Sequence, residues 1–123
     1  MRVAVLKQGP FLIAALQDAL TDSGWQRLRD DLLAGVGNHR SRGAVIDVSA
    51  MDVMDSYAAR ALDGMARMLS LRGAETVIVG IQPGVAFAMA QLGLTLASAG
   101  TALDLDDGLA LLTRRLKDSA HDE

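Results

Sequence analysis

The sequence predicts an α/β domain: a mixed, mostly parallel sheet that opens with a β-hairpin and carries about four helices. Three observations carry this. Two apolar runs at the start, Arg2 to Lys7 and Phe11 to Leu16, are separated by Gly9-Pro10, the punctuation of a hairpin. Two later runs, Ala44 to Val48 and Thr76 to Ile81, are apolar almost without interruption, the pattern of strands covered on both faces. Segments of helical spacing separate these strands, and alternation of that kind implies right-handed crossovers and parallel neighbours.

The elements follow in order. Thr21-Asp22-Ser23 is a helix-start cluster. After it Trp25, Leu28, Leu32, Leu33 and Val36 form one helical stripe, and Gly35 and Gly37 are expected to end that helix. Asn38 to Gly43 is a polar loop before the strand at Ala44. Ser49 to Asp55 connects that strand to a second helix starting near Ser56, with Ala58, Ala61, Leu62, Met65, Met68 and Leu69 inward and Gly73 as C-terminal cap. Pro83 suits the first position of a third helix, whose apolar face is Val85, Ala86, Met89 and Leu92. Thr101-Ala102-Leu103 reads as a short last strand. Asp104 to Asp107 lead into a final helix with Leu109, Leu112 and Leu116 inward, acids at its start and bases at its end. One domain over 1–117 is expected, with 118–123 a frayed tail.

Composition narrows the function. The chain has 123 residues, enough for one domain with its own core. Half the residues are hydrophobic but only 3% are aromatic, so that core is aliphatic. There is no cysteine, which removes disulfides, thiolate nucleophiles and cysteine metal sites together. A net charge of -3 argues against nucleic acid as a partner, since phosphates call for a basic face. The uncharged stretch from Thr76 to Leu103 contains Gln82-Pro83-Gly84, Gln91, Gly93 and Gly100, and reads as strand, helix and strand inside a domain, not as a membrane span. A cytoplasmic setting is expected.

Catalytic chemistry is thin. The two histidines, His39 and His121, fall in a polar loop and in the expected tail, with no visible partner to make either a base. Asp104, Asp106 and Asp107 are explained as acids at a helix start, without the ligand spread of a calcium loop. Gly80-Ile81-Gln82-Pro83-Gly84 stands between strand and helix but lacks the lysine and glycine spacing of a nucleotide fingerprint, so it reads as a tight turn. A receiver-type phosphoaspartate domain would need an acidic pair after the first strand, where Lys7-Gln8-Gly9 stands. No enzyme activity, metal or cofactor is expected.

The segment Met51-Asp52-Val53-Met54-Asp55-Ser56-Tyr57 is more informative. Ser56 is expected at the N-cap of the second helix, where its hydroxyl would accept an amide hydrogen bond worth about 1 kcal/mol. That plain structural role accounts for the residue type. The flanks add something: two acids, with apolar area around Met51, Val53, Met54 and Tyr57 expected to be exposed, at one helix mouth. A phosphate on Ser56 would bring about -1.5 to -2 charges. The helix N-terminus would tolerate it. Asp52, Asp55 and any partner packed on Met54 or Tyr57 would not. A folded domain with a switchable binding surface is the expectation.

At these residues the sequence resembles the STAS family, the fold of anti-sigma-factor antagonists, and in particular its RsbS-type stressosome members. Val45-Ile46-Asp47-Val48 followed by Asp52 to Tyr57 is similar to the family's strand and phosphoserine loop. Gly73-Ala74, Gly80-Ile81-Gln82-Pro83, Leu92-Gly93-Leu94 and the run Thr101 to Leu109 extend the likeness over essentially the whole chain. The resemblance implies a STAS fold and a non-enzymatic scaffold in stress signalling. Such a scaffold sequesters an RsbT-type serine/threonine kinase and releases it when Ser56 is phosphorylated. Partner contacts are implied for Asp52, Val53, Met54, Asp55 and Tyr57. RsbR-type STAS proteins and a homodimer within a large assembly are the implied neighbours. The helix Val85-Ala86-Phe87-Ala88-Met89 lacks the hydroxyl of the family's second phosphorylation site, and the chain opens at its first strand without a sensor; both features favour the RsbS type. An anti-sigma-factor antagonist acting on an anti-sigma kinase outside a stressosome is the alternative. A hydrolase using Ser56 and a ligand sensor at the Gly80–Gly84 turn are further readings.

Overall fold

The computed structural model describes residues 3–121 and contains β1 (Val5–Gln8), β2 (Phe11–Ala15), α1 (Asp22–His39), β3 (Gly43–Asp47), α2 (Ser56–Leu71), β4 (Glu75–Val79), α3 (Pro83–Leu92), β5 (Gly100–Ala102) and α4 (Leu105–His121). This is the predicted order. The strands lie in one sheet in sequence order, with β1 antiparallel to β2 and every later pair parallel. Residues 1–2 and 122–123, which include parts of the expected first strand and tail, lie outside the described residues.

Sequential strand order has a consequence. When each crossover steps the same way along a sheet and keeps the same hand, its helices fall on one face. Accordingly α1, α2 and α3 share a core with the face made by Leu12, Ala14, Leu16, Ala44, Ile46, Val48 and Ile78, into which they place Leu28, Leu32, Leu62, Met65 and Met89. The other face, with Phe11, Val45, Val77 and Val79, is closed by α4 through Leu112. Strands β3 and β4 are thus buried on both sides, as their uninterrupted apolar runs require.

Two helix ends and two side-chain orientations differ from the sequence reading. Helix α1 passes through Gly35 and Gly37 and ends at His39, where Arg40 turns left-handed (φ 51°). Gly35 serves packing here: a Cβ on it would lie 2.8 Å from Leu12 Cδ1. Helix α4 continues to His121, past the Asp118 at which fraying was expected. On the flanks of α2 and α3, Met68 (40% exposed) and Leu92 (67% exposed) face outward, not into the core. Gly73 caps α2 as expected, with φ 86° and the Ala74 amide returning to the Leu69 carbonyl at 2.9 Å.

Candidate functional site

The site is the loop that carries the chain from the C-terminal end of β3 to the start of α2. Asp47, the last residue of β3, turns the chain: its Oδ1 accepts from the Ser49 amide at 2.9 Å. The Met51 amide then donates to the Val48 carbonyl at 2.9 Å. Gly80, at the end of β4, packs against this turn. Its φ of +79° is a conformation that L side chains rarely adopt, and an added Cβ would fall 2.8 Å from Ser49 Cβ. The close approach lets Gln82, two residues on, reach across: its Nε2 donates to the Ser49 carbonyl at 2.8 Å and to Asp52 Oδ1 at 3.2 Å. The Gly80–Gly84 turn therefore binds a neighbouring loop of its own chain, which fits the tight-turn reading.

Inside the loop, residues divide between core and solvent. Met51 and Met54 are buried at 3% and 4% exposure, while Val53 is 69% exposed. The sequence reading put both methionines on the exposed surface. They are instead the hydrophobic anchor beneath the loop and join the cluster of Ile46, Ala58 and Val85. A methionine's unbranched side chain fills such irregular space well. Of the residues expected to meet a partner, Asp52, Val53, Asp55 and Tyr57 are at the surface and Met54 is beneath it.

The cap also moves by one residue. Asp55, not Ser56, is the N-cap of α2: its Oδ1 accepts from the Ala58 amide at 2.8 Å and its carbonyl from the Ala59 amide at 3.0 Å. Ser56 is thereby the first helical residue, exposed, with its hydroxyl relieved of the capping duty. Tyr57 beside it is 46% exposed. A hydrogen bond to Asp22, at the start of α1, raises its phenol above the ordinary value of 10.0; desolvation and the Asp22 charge act in the same direction. Sequence reading missed this link between the first turns of two helices, because nothing in either segment signals the other.

The mouth of α2 therefore presents a hydroxyl, an aromatic ring, an exposed valine and three acids: Asp22, Asp52 and Asp55. His39, at the C-terminal end of α1, precedes β3, whereas Ser56 follows β3, so the two lie toward opposite ends of that strand. Among the described residues, no group of three or more His, Cys, Asp or Glu side chains could hold a metal ion. No described helix is long and apolar enough to cross a membrane.

Residues 2–107 match the STAS domain family. The chain belongs to the STAS family. Its fold, a five-stranded mixed sheet with an N-terminal hairpin and four helices, is that of solved STAS structures. An RsbS variant from Moorella thermoacetica, in which glutamate replaces a serine, is 32% identical; the match covers 95% of this STAS domain and 99% of that chain, with a TM-score of 0.79. A chain from the molecular architecture of the stressosome, a signal integration and transduction hub, is 33% identical, covering 92% of this domain and 98% of that chain at a TM-score of 0.77. The RsbT co-antagonist protein RsbRA of Bacillus subtilis (strain 168) is 31% identical over 84 residues. That match takes in 68% of this STAS domain but only 31% of RsbRA.

Proposed function

We propose that this STAS domain is a non-enzymatic stressosome antagonist that sequesters an RsbT-type serine kinase and releases it when Ser56 is phosphorylated. The likeness to RsbS and to a stressosome chain over almost the full length supports the setting. The observation that carries the switch is Ser56 itself: an exposed hydroxyl at the first position of α2, free of the cap, beside an exposed Val53 and Tyr57. A kinase can reach it, and an apolar contact can form around it. Phosphorylation then sets about -1.5 to -2 charges at one point in a ring of acids. The domain stays folded, since helix N-termini favour anions. The kinase contact, made with the neutral form, is lost.

On this reading the chain is a substrate and docking partner in the cytoplasm, without catalysis of its own. It assembles with RsbR-type STAS proteins, and as a homodimer, into a large particle. The test is affinity for an RsbT-type kinase. Ser56→Asp is expected to weaken binding tenfold or more, about 1.4 kcal/mol. Ser56→Ala keeps the complex but blocks its release by ATP. Undiminished binding of both Ser56→Asp and the phosphorylated protein overturns the switch. Sizing with an RsbR-type partner checks the assembly. A particle no larger than a dimer would point instead to an antagonist acting outside a stressosome.

A further inference from the structure

The exposed side of α2 holds one cation whose role nothing so far explains. Ala58, Ala59, Leu62, Met65, Ala66 and Leu69 face the core, leaving Ser56, Tyr57 and Arg60 on the solvent side of the first turns. The Arg60 side chain makes no hydrogen bond or ion pair among the described residues. Its nearest acid along the helix, Asp63, is already committed: Oδ2 pairs with Arg67 at 3.0 Å and Oδ1 accepts from the Ser98 amide at 2.8 Å. Arg60 therefore stands unpaired four residues after Ser56.

That spacing is the contact spacing of a helix surface, and helical side chains lean back toward the N-terminus, so Arg60 lies over the Ser56 position. An anion preceding a cation by four residues is also the favourable order. The other charged groups that the described contacts place at this mouth are acids: Asp52 and Asp55 in the loop, and Asp22 of α1 across Tyr57. A phosphate placed among them has one oppositely charged neighbour.

We infer that Arg60 is the built-in clamp for a phosphate on Ser56, holding it along α2 by a charge-assisted hydrogen bond and away from Asp55. The inference rests on the reading of Ser56 as the modified residue. Arg60 is a positioning residue: it sets where the new charge sits and how fully it is ionised. The guanidinium's fork matches phosphate oxygens, and its positive charge favours the dianion over the monoanion. Its own contribution thus draws the phosphate's second pKa down, against the upward push of Asp22, Asp52 and Asp55.

The experiment uses full-length chain with phosphoserine placed at position 56 during translation, so that no kinase is needed. Phosphorus NMR across a pH series reads the second pKa. Arg60→Gln is expected to raise it by about half a unit, and Arg60→Lys by less. Arg67→Gln, on the same helix but paired with Asp63, is expected to leave it in place. Arg60 is exposed and glutamine is a good helix former, so the variant folds. A change in Arg60→Gln no larger than that in Arg67→Gln overturns the clamp. The readout is independent of kinase choice: a kinase that ignores Ser56 would defeat the functional reading and leave the clamp measurement standing.

Discussion

Gln82 reaches back from the start of α3 to Asp52 in the loop before α2, its Nε2 3.2 Å from Asp52 Oδ1 and 2.8 Å from the Ser49 carbonyl. One side chain thus ties together the loops that leave β3 and β4, and it does so without capping its own helix. The arrangement holds the approach to Ser56 in one conformation. Replacing Gln82 by methionine keeps the length and removes the donor. Unfolding in urea should show a loss of about 1 kcal/mol, the net worth of a hydrogen bond. Amide exchange in residues 49–55 should accelerate selectively. Unchanged exchange there would mean that the loop is held without the Gln82 side chain, by its own turn and by Met51 and Met54.

The position of the cap predicts an asymmetry between neighbours. Asp55→Ala removes the acceptor of the Ala58 amide and should cost about 1 kcal/mol. Asp55→Asn should recover most of this. Ser56→Ala touches no such bond and should stay within about 0.5 kcal/mol of the parent. Thermal denaturation of the three variants decides it: a larger loss at Ser56 than at Asp55 would return the cap to the serine.

Burial divides the loop in the same way. Met54→Ala empties buried space and should cost about 2–5 kcal/mol. Val53→Ser, at a residue 69% exposed, should alter stability by no more than about 0.5 kcal/mol. On the proposed function their effects on kinase affinity reverse: folded Val53→Ser binds about fivefold more weakly, the loss of roughly 1 kcal/mol at an apolar contact. Full affinity in Val53→Ser would move the contact surface elsewhere.

The strand and helix order was legible because the parallel strands announce themselves. Ala44 to Val48 and Thr76 to Val79 are apolar on both faces, and only a sheet with helices on each side buries such runs. The site was legible in residue type but not in register. Asp55 and Ser56 both form caps, and the inward set Ala58, Leu62, Met65 and Leu69 suits a helix starting at either one. The depth of Met54 was hidden for a different reason: a loop has no period from which burial can be read, and the cluster it joins includes Val85 from a helix far away in sequence. Gly35 misled because a glycine in a helical stretch signals an end, whereas here it admits Leu12 from the sheet.

Tyr57 offers a spectroscopic test of the helix-mouth geometry, since it is the chain's single tyrosine. Its hydrogen bond to Asp22 favours the protonated phenol, so folding raises its pKa above 10.0. A group raised on folding stabilises the native state fully below its unfolded pKa and loses that contribution as pH climbs through the folded value. Tyrosinate absorbance in native protein should therefore appear at higher pH than in urea-unfolded chain. Asp22→Asn should bring the native curve back toward the unfolded one by removing both the carboxylate acceptor and its charge. Stability measured against pH should be flat in this respect below pH 10.0 and should fall above it, more in the parent than in Asp22→Asn. Superimposed native and unfolded curves would show that α1 and α2 do not meet through this pair in solution.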